Sequence, residues 1–204
     1  MQRDRIAGYS ASRLRLGRYS TGFPFHAGCQ SPPPLVRRFR APEPGIFESI
    51  SMSFSHLGLA EPLVRALEAK GYTQPTPIQA QSIPTLLEGR DLLGIAQTGT
   101  GKTAAFTLPS IQRMAEAQKR VLPTHCRMLV LAPTRELASQ IADNARGYSQ
   151  FSKMSVATVF GGTSINKNRN DLSRGVDILV ATPGRLIDLV EQGYCNLSMI
   201  EILV

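Results

Sequence analysis

The chain predicts an α/β fold with a mostly parallel sheet flanked by helices, and three observations carry that expectation. Strand-like apolar runs alternate with helical patterns downstream of residue 90, the order that produces parallel strands joined by helical crossovers. Runs such as Leu129-Val130-Leu131 are continuously apolar, which fits strands buried on both faces. The octapeptide Ala96-Gln97-Thr98-Gly99-Thr100-Gly101-Lys102-Thr103 lies between an apolar run and a helical one, the strand, loop and helix order that a phosphate-binding turn requires.

Each element has its own signal. Pro62 to Lys70 carries Leu63, Val64 and Leu67 at helical spacing and is closed by Gly71, and Pro77 opens a second helix that runs to about Leu87 and ends at Gly89. Leu92-Leu93-Gly94-Ile95-Ala96 reads as a buried strand entering the octapeptide, and Thr103 to Leu108 as the helix leaving it. Strands at Met128–Ala132, Ser155–Phe160 and Ile178–Ala181 then alternate with helices at Glu136–Tyr148, near Asp171 and at Leu186–Glu191. The final run, Ile200–Val204, reads as a further buried strand. An ending in mid-strand leads us to expect a truncated domain with an unfilled sheet position.

At 204 residues and 42% hydrophobic content, the chain has room for one sizeable domain and an extension. No apolar run approaches the length of a membrane span, so no membrane partner is expected. The formal net charge is +8, but residues 1–51 hold 8 Arg against 3 acidic residues, no Lys and 6 Pro, so most of the basicity lies outside the predicted domain at 52–204. Residues 1–51 are expected to be a disordered basic extension. They read as residues preceding a natural start at Met52, as an organellar transit peptide, or as a basic arm that touches nucleic acid. Cys29, Cys126 and Cys195 are odd in number and lack metal-ligand spacing, which points to a reducing compartment, cytoplasmic unless the transit-peptide reading holds.

The octapeptide implies a nucleoside triphosphate, because phosphate oxygens must be met by closely packed backbone N–H groups that bulky side chains would obstruct. Gly99 and Gly101 open that access along the Ala96 to Thr100 backbone, Ala96 standing where the general pattern has Gly. Lys102 offers a point charge to the outer phosphates at the positive end of a helix, and the Thr103 hydroxyl can ligate Mg2+. Gln79 carries an amide that can donate and accept at once, the pattern needed to pair with the N6 and N7 edge of adenine. Taken alone, Gln79 also reads as a solvated helix residue and Phe54 as core.

Arg135 and Arg185 each follow an apolar strand, at the sheet end where ligands gather in open parallel sheets. Pro133-Thr134 and Thr182-Pro183-Gly184 would present helix N-termini and hydroxyls to phosphate or ribose oxygens, and Gly161-Gly162 would let a nucleic-acid backbone approach the main chain. Singly, these are also a common turn and a solvated helix start.

Together the segments resemble a known family. Gly71-Tyr72-Thr73-Gln74-Pro75-Thr76-Pro77-Ile78-Gln79, with Phe54 upstream, is similar to the Q motif of DEAD-box ATP-dependent RNA helicases. Ala96–Thr103 is similar to motif I, Pro133-Thr134-Arg135-Glu136-Leu137 to motif Ia, Gly161-Gly162 to the double-glycine element and Thr182-Pro183-Gly184-Arg185 to motif Ib. Met-Ser-Phe and Leu-Glu-Gly-Arg-Asp look most like the bacterial RhlE-like subgroup. The resemblance implies a RecA-like N-terminal lobe. ATP would be held by Phe54, Tyr72, Gln74, Gln79 and Ala96 to Thr103, Phe54 stacking on the base. Motifs Ia and Ib and the glycine pair would grip one RNA strand by its backbone without reading sequence, with RNA told from DNA by its 2′-hydroxyl.

The family pattern is departed from at Asn168, where relatives often place Gln in a segment that supports RNA binding. The resemblance also implies that Asp-Glu-Ala-Asp, a Ser-Ala-Thr element and a second RecA-like lobe follow Ile200–Val204. Without them the 204 residues are expected to bind nucleotide and RNA but not to hydrolyse ATP. The alternative reading is an inactive or regulatory nucleotide-binding module, told apart by whether Asp-Glu-Ala-Asp and a second lobe follow Val204.

Overall fold

The structure, a computed structural model, describes residues 53–204. The expected extension over residues 1–51 lies outside the described residues. Four parallel strands form one sheet in the order β2-β3-β1-β4, with β1 at Cys126–Leu131, β2 at Val156–Val159, β3 at Val176–Ala181 and β4 at Ile202–Leu203. The register sets Leu131 beside Ala181 and Ala181 beside Val159. Three neighbouring strands therefore end in one row, and the loops that follow them open along a single edge.

Helices cover both faces, and the alternation of side chains along each strand decides which residue meets which layer. Met128, Val130, Ile178 and Val180 join a core with Leu63, Leu67, Ile83, Leu108, Ile111, Ile141 and Tyr148. These come from α1 (Glu61–Ala69), α2 (Pro77–Leu87), α3 (Lys102–Ala117) and α4 (Arg135–Tyr148). Leu129, Leu179 and Ala181 face the other way, against Leu172 of α5 (Ile165–Leu172) and Leu186 and Leu189 of α6 (Pro183–Glu191). Removal of each such aliphatic side chain from water contributes about 1.5–3 kcal/mol. Two-sided covering explains why Met128–Leu131 of β1 and Ile178–Ala181 of β3 read as apolar runs.

The entering strand expected at Leu92–Ala96 does not form. β4 pairs with β1 on the side away from β3 and ends the sheet, and Leu92–Ala96 forms no ladder with its open edge. Leu93 and Ile95 are 63% and 80% exposed. The segment runs instead along a cleft of about 670 Å³ whose opposite wall is Pro77, Ile78 and Gln81 of α2.

At the opposite end of the sheet from the strand-end loops, one buried charge ties five elements together. Arg127 of β1, its side chain 3% exposed, donates from Nε to Glu201 Oε1 at 2.6 Å and from Nη2 to the Met114 carbonyl of α3 at 2.9 Å. Lys119 donates to the other Glu201 oxygen at 2.8 Å. Asp177 of β3 lies 3.9 Å from Arg127 Nη1 and accepts from Ser155, just before β2, at N and Oγ. A buried guanidinium is tolerated because its donors are matched in this way.

Candidate functional site

The phosphate loop is anchored from outside itself. Thr76, immediately before α2, donates from Oγ1 to the Thr100 carbonyl at 2.8 Å, and Gln79, fully buried, donates from Nε2 to the Gly101 carbonyl at 3.1 Å. The Gln79 Oε1 in turn accepts from the Thr76 backbone N–H at 3.0 Å, satisfying one orphan donor at the start of α2 in the manner of a capping box. Gly101 adopts φ +88°, and a Cβ there would run into the Gln79 amide. A side chain at that position is thus excluded by backbone conformation and by the neighbour that secures the loop.

Inside the loop, Lys102 folds back so that its Nζ donates to the carbonyls of Ala96 and Gln97, and Thr100 Oγ1 donates to the Gln97 carbonyl at 2.8 Å. The ammonium thus sits over the loop backbone at the N-terminus of α3, where the helix dipole favours an anion. Thr98 and Gly99 are exposed, Thr103 is half-buried in the first helical turn, and a polyphosphate that drew Lys102 away would meet this open stretch of backbone.

The expected base-binding residues separate into support and surface. Phe54 lies in a short 3-10 turn at Phe54–Leu57 and is only 3% exposed. Its ring meets Tyr72 edge to face at 6.4 Å, so stacking on a base is not open to Phe54 in this arrangement. Tyr72 is half-buried between Phe54 and Tyr148, whose ring centroid is 6.3 Å away and whose hydroxyl lies 3.3 Å from its own. Burial first, then the Tyr72 hydroxyl, pushes the Tyr148 phenol above its ordinary range. Gln74 is exposed.

The other predicted residues gather along the strand-end edge. After β1, Pro133 and Thr134 precede α4, and Thr134 Oγ1 accepts from the Leu137 N–H at 3.2 Å as its N-cap. Glu136 next to it is held below the usual carboxylate range by its own backbone N–H, then by the Thr134 hydroxyl. After β2, Gly162 adopts φ +83°, and a Cβ there would come within 2.8 Å of the Arg135 guanidinium carbon. The glycine pair and motif Ia are thus in contact. After β3, Thr182 makes no side-chain cap to α6, whose first turn begins with Pro183. A Cβ on Gly161 or Gly184 would meet nothing within 4 Å, so both face open space where a polymer backbone can approach.

Arg185 is less free than its position in the sequence suggests. Its Nη1 donates to the Thr163 carbonyl at 2.9 Å and to Asn168 Oδ1 at 3.0 Å, and its Nε lies 3.7 Å from Asp188. Motif Ib is thereby joined to the loop that carries the glycine pair. Sequence reasoning missed Thr76, although a Thr three residues before Gln79 is the capping-box signature, and it missed Thr163, for which no local signal exists.

A parallel α/β lobe with a phosphate loop after its second long helix, and with glycine- and hydroxyl-bearing loops along one strand-end edge, defines the class as a phosphate-loop nucleotide-binding lobe. The sequence profile of the DEAD/DEAH box helicase family matches residues 76–204. The chain is 42% identical over 151 residues to the ATP-dependent RNA helicase SrmB of Haemophilus influenzae, covering 74% of this chain and 34% of that protein. It is 44% identical over 153 residues to the ATP-dependent RNA helicase DeaD of Escherichia coli, covering 74% of this chain and 24% of that protein. DEAD-box ATP-dependent RNA helicase 52A of Oryza sativa is 44% identical over 162 residues, with 74% and 27% covered. The chain belongs to the DEAD/DEAH box helicase family, and its described residues form a RecA-like lobe. It spans about a quarter to a third of the length of these relatives.

Proposed function

We propose that this chain is the ATP-binding lobe of an ATP-dependent RNA helicase and that it supplies part of an RNA grip. The observation that carries the reading is the double attachment of the Q segment to the phosphate loop, Thr76 to Thr100 and Gln79 to Gly101, which makes a base-proximal segment and a phosphate-proximal loop one unit. Relatives named as ATP-dependent RNA helicases supply the nucleotide and the polymer.

On this reading Lys102 exchanges the Ala96 and Gln97 carbonyls for phosphate oxygens, while the N–H groups from Thr98 to Thr103 close around them. Gln79, expected to pair with adenine, is instead fully buried with its amide engaged by Thr76 and Gly101, so it acts on the nucleotide by holding the loop. Magnesium, when bound, would neutralise charge on the phosphates. The Thr103 hydroxyl, half-buried in the first turn of α3 beside the loop, is the group that would reach the ion as a companion of the nucleotide. Pro133, Thr134, Arg135, Gly161, Gly162, Thr182, Pro183, Gly184 and Arg185 hold one RNA strand by backbone contacts independent of sequence.

Hydrolysis and strand separation belong to the longer protein, with a second lobe closing over nucleotide and RNA. A cytoplasmic, reducing location fits Cys126 and Cys195, which are buried free thiols. Among the described residues no helix is long and apolar enough to cross a membrane. Titration with ATP and GTP, alongside filter binding to unrelated single-stranded RNAs over a salt series, tests the reading. We expect preference for ATP and weak, salt-sensitive RNA binding of uniform strength. Equal nucleotide affinities or one strongly preferred RNA sequence would refute it.

A further inference from the structure

We propose that Asn168 is a positioning residue that fixes Arg185 and the Gly161–Thr163 loop as one RNA-facing surface. The inference rests on the RNA reading above and names the residue that organises that site.

α5 is a polar helix of eight residues in which only Asn168 and Leu172 are buried, four positions apart and so on one face. Leu172 packs in the core, and the same face therefore carries Asn168, 2% exposed, inward. There its carboxamide is bonded on both sides. Nδ2 donates to the Thr158 carbonyl of β2 at 3.3 Å, and Oδ1 accepts from Thr163 Oγ1 at 3.2 Å and from Arg185 Nη1 at 3.0 Å. Three of its four hydrogen-bonding positions are filled, each from a different part of the site.

The partners make the arrangement directional. Thr163 directly follows the glycine pair, and its single hydroxyl proton is shared between Asn168 Oδ1 and the nearer Phe160 carbonyl at 2.9 Å, the second contact closing the turn that contains Gly161 and Gly162. Arg185 reaches that turn twice, through Thr163 O and through Asn168. A guanidinium is planar, so fixing Nη1 and placing Nε beside Asp188 orients the remaining Nη2, which makes no hydrogen bond among the described residues. Asn168 therefore sets both the conformation of a loop that faces open space and the aim of the cation beside it. An apolar residue of equal size would leave the Thr158 carbonyl without its side-chain donor and take from Arg185 and the Thr163 hydroxyl the contact that joins them, leaving Arg185 the Thr163 carbonyl and Asp188, and Thr163 the Phe160 carbonyl.

The test measures affinity for a labelled oligouridylate and for ATP with the full 204-residue chain, its Asn168→Leu and Arg185→Ala variants, and the double variant. We expect each single variant to weaken RNA binding about tenfold with ATP affinity unchanged, and the double variant to bind no more weakly than the weaker single one. Asn168→Gln, which keeps both amide groups, should recover RNA binding to within about threefold of the parent. A multiplicative double variant, or Asn168→Leu binding RNA as the parent does, would overturn the inference while leaving the RNA reading intact. A parent chain without RNA affinity would overturn both. If Asn168→Leu does not fold, Thr163→Val, which removes only the hydroxyl arm, should still weaken RNA about threefold at constant ATP affinity, and an unaltered RNA affinity there would also overturn the inference.

Discussion

Gln79 Nε2 donates to the carbonyl of Gly101 across 22 positions of sequence at 3.1 Å, and this one bond makes the shape of the phosphate loop depend on the start of α2. The same amide receives the Thr76 N–H, so truncating it orphans a donor and an acceptor together. We expect Gln79→Ala to weaken ATP binding and to lower stability by about 1–3 kcal/mol. Calorimetric titration and a urea melt check it, and an unchanged melt would show that neither bond contributes.

Lys102 differs, because its two acceptors are half-exposed or exposed loop carbonyls that water can satisfy in its absence. Lys102→Ala should leave the thermal midpoint within about 2 °C, a shift below 1 kcal/mol for a domain of this size. ATP affinity should fall by about 1.5–3 kcal/mol, the worth of a charged hydrogen bond. Loss of stability as large as the loss of affinity would contradict the assignment of Lys102 to the ligand.

At Gly162, φ of +83° and the Arg135 guanidinium both oppose a side chain. Gly162→Ala should cost about 1–3 kcal/mol of stability. Adding Arg135→Ala should restore part of that loss by clearing the neighbour, while RNA affinity falls further. Additive stability changes, measured by denaturant melts of the two single variants and the pair, would show that the two residues do not meet.

Glu201 gives the lobe an acid sensitivity. Burial alone would raise its carboxyl, but the hydrogen bonds from Arg127 and Lys119 outweigh burial and hold it below the usual carboxylate range. A carboxylate depressed in the folded state binds fewer protons there than when unfolded. Its stabilisation is therefore complete above the unfolded value, about 4.3, and is lost as pH falls through the folded value. Melts at neutral pH and below pH 4 should show a steeper acid loss for the parent than for Glu201→Gln, and parallel curves would assign the acid response elsewhere.

The parallel sheet and most helices were legible because burial on two faces and glycine stops leave local marks. Leu92–Ala96 was misread because an apolar run records a tendency to pair but not whether a partner takes it up, and here the outer edge of β4 stays unpaired while Leu93 and Ile95 stand exposed. The helix from Lys102 was read to Leu108, yet Pro109 sits within it and the helix continues to Ala117, held by buried Ile111 and Met114. Tertiary packing there offsets the lost hydrogen bond. Among the site residues, the loop glycines and hydroxyls were visible as motifs. The burial of Phe54 matches its reading as core taken alone, whereas the burial of Gln79 and the inward turn of Asn168 were not visible, because each is decided by partners far away in sequence, Gly101 in one case and Arg185 in the other.

The folded-back ammonium of Lys102 has a selective effect of its own. With its positive charge held by Ala96 and Gln97, the loop is self-satisfied, and only a competing anion of sufficient charge gains by drawing that group outward. A nucleoside, however well its base fits beside Tyr72, brings no such charge and leaves the loop shut. On the proposed nucleotide reading, affinity is therefore expected to rise with the number of phosphates a ligand carries.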